Sequence, residues 1–348
     1  MEQESGLTPL LRLLIAGAST VVIIGGLKLA APVFTSIFLA LLIAISVAPL
    51  LGWLKRMKLP GWLAMVVIVL AVFVFVSFII VVVVVSAGQL DEKLPVYQSR
   101  VDEIKDDISG VLERYGVDAQ DVLNLDVFEP NRIINATASI ALNVASAMSN
   151  WLFVLVIAVF IMIEAGGYPE KLMKAVRSGS PMPERLISLN QDIRSYVLIT
   201  AWLGLLVAAL NTVLLIILGV DFAILWGVLS FLFSFIPVVG FIIALIPPVV
   251  LALLESGWGE AVIVLAGYLL INNMVDNVLK PRIMGHGLNL SPLVIILSLF
   301  FWAWVFGAVG AILAVPLTMA VKKIVLEGSE DSRWMAVMME PAGKAEAG

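Results

Sequence analysis

Residues 222–254 decide how this chain folds, and they read FAILWGVLSFLFSFIPVVGFIIALIPPVVLALL. These 33 residues carry no charge. As one straight helix they would be about 50 Å long, whereas the apolar core of a bilayer is about 30 Å thick. Pro237, Gly240 and the pair Pro247-Pro248 interrupt the stretch. The sequence therefore predicts a helical hairpin that turns near Pro237 and Gly240.

A second uncharged stretch of 31 residues, 291–321, has the same character. Gly307, Gly310 and Pro316 interrupt it. The dipeptide Val-Gly occurs at residues 239–240 and again at 309–310, 70 positions later, and a proline follows each glycine six or seven positions on. We predict a second hairpin, which turns near Gly307. The alternative for both stretches is a long, kinked but continuous helix.

The composition of the 348 residues places the chain in a membrane. Hydrophobic residues make up 61% and charged residues 14%, against roughly 45–50% and about 25% in soluble domains.

With no Cys and one His, the chain lacks the usual ligands of zinc and iron–sulfur sites, so we expect no metal and no cofactor. A net charge of −5 without a dense basic block argues against nucleic acid as a partner. No catalytic motif is present, and we expect no enzyme activity.

The remaining apolar segments are the predicted membrane spans. There are about six, at residues 10–27, 29–54, 62–87, 151–163, 196–219 and 261–275. The fold class is therefore an all-α polytopic membrane protein with about six full spans and two hairpins. The chain divides into a three-span scaffold (1–87), an acidic extracytoplasmic helical segment (88–148), a fourth span with a basic cytoplasmic loop (149–195), a transport unit (196–325) and a cytoplasmic tail (326–348).

The charges flanking these segments predict their orientation, because short cytoplasmic loops are enriched in Lys and Arg. Lys55, Arg56 and Lys58 place the loop after the second span inside, and both termini are then cytoplasmic. Acidic residues at both ends of 222–254 place that hairpin open to the outside, and basic residues at both ends of 291–321 place the other open to the inside. Lys28 is the exception to the rule. The two halves form an inverted repeat, which is typical of secondary transporters.

Candidate binding residues lie at the two turns and on one helix face. A broken helix exposes backbone N–H groups that suit the oxygens of a polar solute, and the residues at the breaks are Pro237, Gly240, Gly307 and Gly310. Polar residues within a membrane indicate function. They are Asn211 in the fifth span, and Asn272, Asn273, Asp276, Asn277, Lys280 and Arg282 at and just beyond the end of the sixth. Spacings of three and four put several of these on one face and pair Asp276 with Lys280. We expect this helix to end at Pro281. The alternative for the 272–282 group is a solvated helix end with an ordinary surface ion pair.

Several stretches of the second half resemble the autoinducer-2 exporter family. They are DNVLKPRIMG (276–285), LSPLVIILSL (290–299), GAVGAILAVPLT (307–318), FIPVVG (235–240) and GYLLINN (267–273). The resemblance covers almost the whole chain and implies a prokaryotic inner-membrane protein that moves a small solute. It also implies a homo-oligomer, with a pentamer among the options. Some relatives resemble sodium or lithium/proton antiporters; Lys280 stands where many relatives have Glu, which argues against cation coordination there.

We therefore predict a transporter that exports a small polar solute, such as the quorum-sensing signal autoinducer-2, by alternating access. The alternatives are a Na⁺(Li⁺)/H⁺ antiporter, an oligomeric channel, and a membrane scaffold that recruits partners through residues 88–148. Single-channel currents would favour the channel, and saturable flux with counterflow the transporter. Persistence of transport after deletion of 88–148 would argue against the scaffold. The sequence names neither the solute nor the coupling ion.

Overall fold

The computed structural model describes residues 8–114, 151–165, 182–284, 290–328 and 332–341, and within these ranges it is helical and contains no strand. The first five helices are α1 (Pro9–Leu29), α2 (Ala31–Arg56), α3 (Gly61–Arg114), α4 (Trp151–Ala165) and α5 (Met182–Leu218). Then come α6 (Ala223–Phe233), α7 (Val239–Ser256) and α8 (Trp258–Met274), which a π-helical turn (Val275–Leu279) joins to α9 (Lys280–Met284). The last are α10 (Pro292–Ala320), which ends in a second π-helical turn (Val321–Leu326), and α11 (Arg333–Met338). The predicted all-helical class is confirmed.

In the described part, six helices are long and apolar enough to cross a bilayer, so this is a multi-pass membrane protein. Four of the six, in α2, α3, α5 and α8, coincide with predicted spans. The other two, α7 and α10, lie in the stretches that the sequence assigned to hairpins. The predicted first and fourth spans fall on shorter apolar helices, Gly17–Leu29 and Trp151–Ala165.

Helix α3 extends well beyond the predicted third span. It continues without a break from Gly61 to Arg114, with Pro95 in its interior. The predicted boundary between residues 87 and 88 is therefore a change of composition within one helix. The rest of the predicted acidic helical segment, from residue 115 to residue 148, lies outside the described residues.

The two ends of helix α5 locate the other segments of the fold. Near its beginning, Ser188 and Asp192 contact Lys323. Just after its end lies Asp221, which is separated from Asp192 by about 40 Å of helix rise. Because α5 is long enough to span a bilayer, these two ends lie on opposite sides of the membrane-spanning part.

Helices α6 and α7 are separated by a break at residues 234–238, where Val238 has a φ of 63°. The turn is tight, because a Cβ placed on Gly240 would lie 1.9 Å from the carbonyl oxygen of Phe233. The far ends of the two helices meet at the Asp221 end of α5, where the Asp221 backbone N–H donates to Glu255 Oε2 over 3.0 Å. The chain therefore returns to the level at which this helix pair began.

Helix α10 also reverses direction, at Gly307, whose φ of 67° and ψ of −150° suit glycine. Trp302 Nε1 donates to Thr318 Oγ1 over 3.0 Å. Residues 16 positions apart in a straight helix would be separated by about 24 Å, so the two arms of α10 lie side by side.

The free ends of the α10 arms lie at the Asp192 end of α5. Ser291, which precedes α10, donates its backbone N–H to the carbonyl of Met339 over 2.7 Å. Lys322, which follows α10, donates to Glu340 over 2.9 Å. The C-terminal segment around α11 thus contacts both ends of α10. These ends lie opposite to the Asp221 end of α5, where the free ends of α6 and α7 meet.

The turn at Gly307 packs against α1 and α2. The Phe306 and Phe38 rings meet edge to face at 6.0 Å between centroids. The Lys28 ammonium lies 4.1 Å from the centre of the Trp304 ring, a distance at which a cation is attracted to the ring face. Lys28, the exception to the charge rule, therefore has an aromatic partner.

Candidate functional site

A cavity of about 550 Å³ lies between α5, α6, α7 and the end of α8. The turn at residues 234–238 forms one wall and the π-helical turn forms another. Most of the remaining lining is apolar side chains of the surrounding helices, among them Leu203, Val207, Phe233 and Phe241. The cavity is therefore amphipathic, with polar groups at a few positions of an apolar wall.

The cavity brings together eight of the eleven residues that the sequence singled out. These are Asn211, Pro237, Gly240, Asn272, Asn273, Asp276, Asn277 and Lys280. Arg282 is exposed on α9 and is not part of the lining. Gly307 and Gly310 lie at the other turn, which packs on α1 and α2. The structure therefore places only the first of the two predicted turns at this cavity.

The wall formed by residues 272–280 is organised by the π-helical turn. Asn277 Nδ2 donates to Asn273 Oδ1 over 2.8 Å, and Lys280 Nζ donates to Asp276 Oδ1 over 3.3 Å. The prediction that Pro281 ends this helix is wrong, because α9 continues to Met284. A proline lacks the N–H of an α-helical bond and clashes with the carbonyl four residues before, and a wider π-helical turn immediately upstream accommodates this.

Two buried polar side chains of the cavity lining have free hydrogen-bonding capacity. Asn211 is only 1% exposed; its Nδ2 donates to Ser230 Oγ over 3.4 Å, and its Oδ1 has no partner. Thr200, three turns earlier on α5, is 2% exposed, and its hydroxyl has no hydrogen bond of good geometry. Unsatisfied buried polar groups cost free energy, so these atoms favour a ligand that hydrogen-bonds to them.

Sequence reasoning missed the hydroxyl groups of this site. Thr200, Ser230 and Ser234 line the cavity, and Ser234 Oγ donates back to the carbonyl of Ser230. The signal that was available is the spacing of Ser230 and Ser234, four positions apart within an uncharged stretch. Two hydroxyls on one helical face of an otherwise apolar segment indicate a polar environment.

The described residues that line the cavity include one acid and one base, Asp276 and Lys280, and these two form an ion pair. The other polar groups are amides and hydroxyls. The site therefore offers neutral donors and acceptors next to apolar surface, which suits an uncharged polar solute.

Comparison with known proteins connects this architecture with solute transport. Residues 18–330 match the profile of the family described as AI-2E family transporter. The AI-2 transport protein TqsA of Escherichia coli (strain K12) is 31% identical over 337 residues, which cover 96% of this chain and 97% of that protein. A protein of Haemophilus influenzae named "Putative transport protein" is 33% identical over 94% of this chain and 96% of its own. Another Escherichia coli protein, named "Putative transport protein YhhT", is 28% identical over 97% and 95%, respectively. The chain belongs to the AI-2E family of transporters.

Proposed function

We propose that the protein exports a small uncharged polar solute, such as autoinducer-2, through the cavity described above. The observation that carries the proposal is Asn211, a residue of the cavity lining whose buried Oδ1 has no hydrogen-bond partner within the protein. A solute hydroxyl would donate to this oxygen while apolar parts of the solute contact Val207 and Phe241. The name of TqsA supports AI-2 as the first solute to test.

The proposed mechanism is alternating access by two re-entrant hairpins of opposite orientation. One hairpin is formed by α6 and α7, and the other by the two arms of α10. Their free ends join at opposite ends of α5, which supports an inverted repeat. The unit of residues 196–325 would move relative to the scaffold of the first four spans and expose the cavity to each side in turn.

Single cysteines would test alternating access, because the chain has no cysteine of its own. We expect Val238→Cys, which lines the cavity, to react with membrane-impermeant reagents from either side, with rates that change when autoinducer-2 is added. Gly52→Cys, on α2, is the control for general accessibility. Reaction of Val238→Cys from one side only, with or without solute, would contradict the mechanism.

A cation antiporter is the second candidate, because the carboxylate of Asp276 borders the cavity. The two functions predict different results for Asp276→Asn. If the solute is uncharged, we expect flux within about threefold of the wild type, since an exposed ion pair contributes only about 0–1 kcal/mol. If a cation is carried, the loss of this carboxylate is expected to abolish transport. The measurement is uptake into inverted membrane vesicles of autoinducer-2, Na⁺ and Li⁺ in parallel, with Asp192→Asn as the control outside the cavity.

We also propose that the protein is a homo-oligomer of the inner membrane, with both termini in the cytoplasm and a role in quorum sensing. Many large apolar side chains of α3 and α5 are exposed on the single chain, including Phe75, Phe78, Trp202 and Ile217. These faces contact either lipid or another subunit. Native mass spectrometry from lipid nanodiscs would count the subunits, and a single-subunit mass would contradict an oligomer.

A further inference from the structure

Four ionisable side chains meet at the Asp221 end of α5, outside the cavity. Lys93 and Tyr97 come from the extension of α3, Asp221 from the turn between α5 and α6, and Glu255 from the end of α7. Tyr97 is 2% exposed. Its hydroxyl oxygen lies 3.0 Å from Asp221 Oδ2 and 2.9 Å from Glu255 Oε1.

The two short contacts of the Tyr97 oxygen require one more proton than the phenol itself supplies. A phenol has one O–H and can donate it to one oxygen only. If both carboxyl groups were ionised, one of the two short contacts would place oxygen lone pairs against each other without a proton between them. Both contacts are hydrogen bonds only if one carboxyl group is protonated and donates to the Tyr97 oxygen.

Asp221 is the ionised member of the pair. It forms an ion pair with Lys93 and faces the Tyr97 hydroxyl. Burial raises the pKa of the Asp221 carboxyl, but hydrogen bonds from Lys93 and its other neighbours outweigh burial and hold this pKa below its ordinary value. Burial raises the pKa of Tyr97, so the phenol keeps its own proton.

We propose that the carboxyl group of Glu255 is a proton-binding site, whose proton lies between Glu255 Oε1 and the Tyr97 oxygen. The remaining contacts fit a neutral acid. Glu255 Oε2 accepts the backbone N–H of Asp221, Glu255 Oε1 donates to Tyr97, and Tyr97 donates to Asp221 Oδ2. The chain of hydrogen bonds ends on the Lys93 ammonium.

Among the described side chains, the other elements that pack against α7 place no further base in a hydrogen bond with Glu255. Helix α6 contains no ionisable side chain. On α8 the nearest acid is Glu260 in the first turn, whose Oε2 is buried and accepts no hydrogen bond. On α3 the groups that face Glu255 and its partner are Tyr97 and Lys93.

Loss of the proton would weaken the contact between α3 and the hairpin formed by α6 and α7. Ionised Glu255 would add a second negative charge beside Asp221 and would lose its donated bond to Tyr97. An unfolded glutamate releases its proton at about pH 4.3, whereas the folded state keeps this proton to higher pH, so this contribution to stability falls as pH rises. We expect the unfolding temperature of the wild type to decrease between about pH 5 and pH 8 by more than that of Glu255→Gln, in which an amide replaces the neutral acid.

Infrared spectroscopy of the full chain in lipid bilayers tests the proposal directly. At about pH 6 ordinary carboxyl groups are ionised, so a carboxylic C=O band reports an acid that keeps its proton. We expect such a band in the wild type, its loss in Glu255→Gln and its retention in Glu260→Gln. No band in the wild type, an unchanged band in Glu255→Gln, or a band lost only in Glu260→Gln would overturn the assignment.

Tyr97→Phe provides a second variant, which removes the acceptor and leaves the acid in place. We expect the C=O band to persist and to shift to higher frequency, because the acid loses its donated hydrogen bond. An unshifted band would place the proton away from Tyr97 and contradict the proposal.

Discussion

Gly240→Ala is expected to destabilise the folded protein by about 3 kcal/mol or more, the upper end of the cost of overpacking. The added Cβ would lie 1.9 Å from the carbonyl oxygen of Phe233 and 2.9 Å from its carbonyl carbon. Both atoms belong to the backbone, so no rotation of a side chain relieves the clash. The turn between α6 and α7 would have to open. Thermal unfolding of detergent-solubilised protein, followed by size-exclusion chromatography, measures the effect.

Gly25→Ala is the matched control for this substitution. Gly25 lies within α1 and has no atom within 4 Å of the position of the new Cβ. Alanine there is expected to be neutral or to stabilise the helix by up to about 1 kcal/mol. Gly310→Ala should behave like Gly240→Ala, because its Cβ would lie 2.0 Å from the carbonyl oxygen of Trp302. Unfolding temperatures of Gly240→Ala and Gly25→Ala that agree with each other would refute the tight turn.

Asn211→Leu is expected to reduce solute flux at least tenfold, which corresponds to about 1.4 kcal/mol, while stability changes by no more than about 1 kcal/mol. Leucine has the same number of side-chain heavy atoms as asparagine, and it removes a buried oxygen that lacks a partner within the protein. The loss of the 3.4 Å bond to Ser230 offsets part of that gain. Transport of autoinducer-2 into inverted vesicles and thermal unfolding are measured on the same preparation.

Thr212→Val is the control on the same helix. Thr212 Oγ1 donates to the carbonyl of Ala208 over 2.7 Å, and Thr212 is not part of the cavity lining. This substitution also removes a hydroxyl, and we expect wild-type flux. If Asn211→Leu transported at the wild-type rate, Asn211 would have no part in solute binding.

The local features of the site were predictable from sequence spacing. Positions three and four apart lie on one helical face, and the contacts of Asn273 with Asn277 and of Asp276 with Lys280 follow from this rule. The turns near Gly240 and Gly307 follow from the length of the uncharged stretches and from their prolines and glycines. The rule that proline ends a helix failed at Pro281, because a π-helical turn upstream accommodates the ring.

The placement of the second turn could not be predicted in the same way. The sequence treats Gly240 and Gly310 as equivalent, and it marks both turns as candidate binding positions together with residues 272–280. In the structure the turn at Gly307 packs on Phe38 and Lys28 of the N-terminal helices. That choice depends on aromatic and cation–π contacts between distant segments, which no local periodicity encodes.

The sequence by itself determined the membrane environment, the all-helical class and the breaks in the two uncharged stretches. Each of these follows from hydrophobicity, length and the backbone chemistry of proline and glycine, which act locally. Only the tertiary structure decided which polar atoms share a cavity and which carboxyl groups meet. Tyr97 and Glu255 are 158 residues apart, yet their oxygens lie within hydrogen-bond distance. Such a contact arises from the packing of whole helices, so it is decided when the helices assemble and not by the pattern within any one of them.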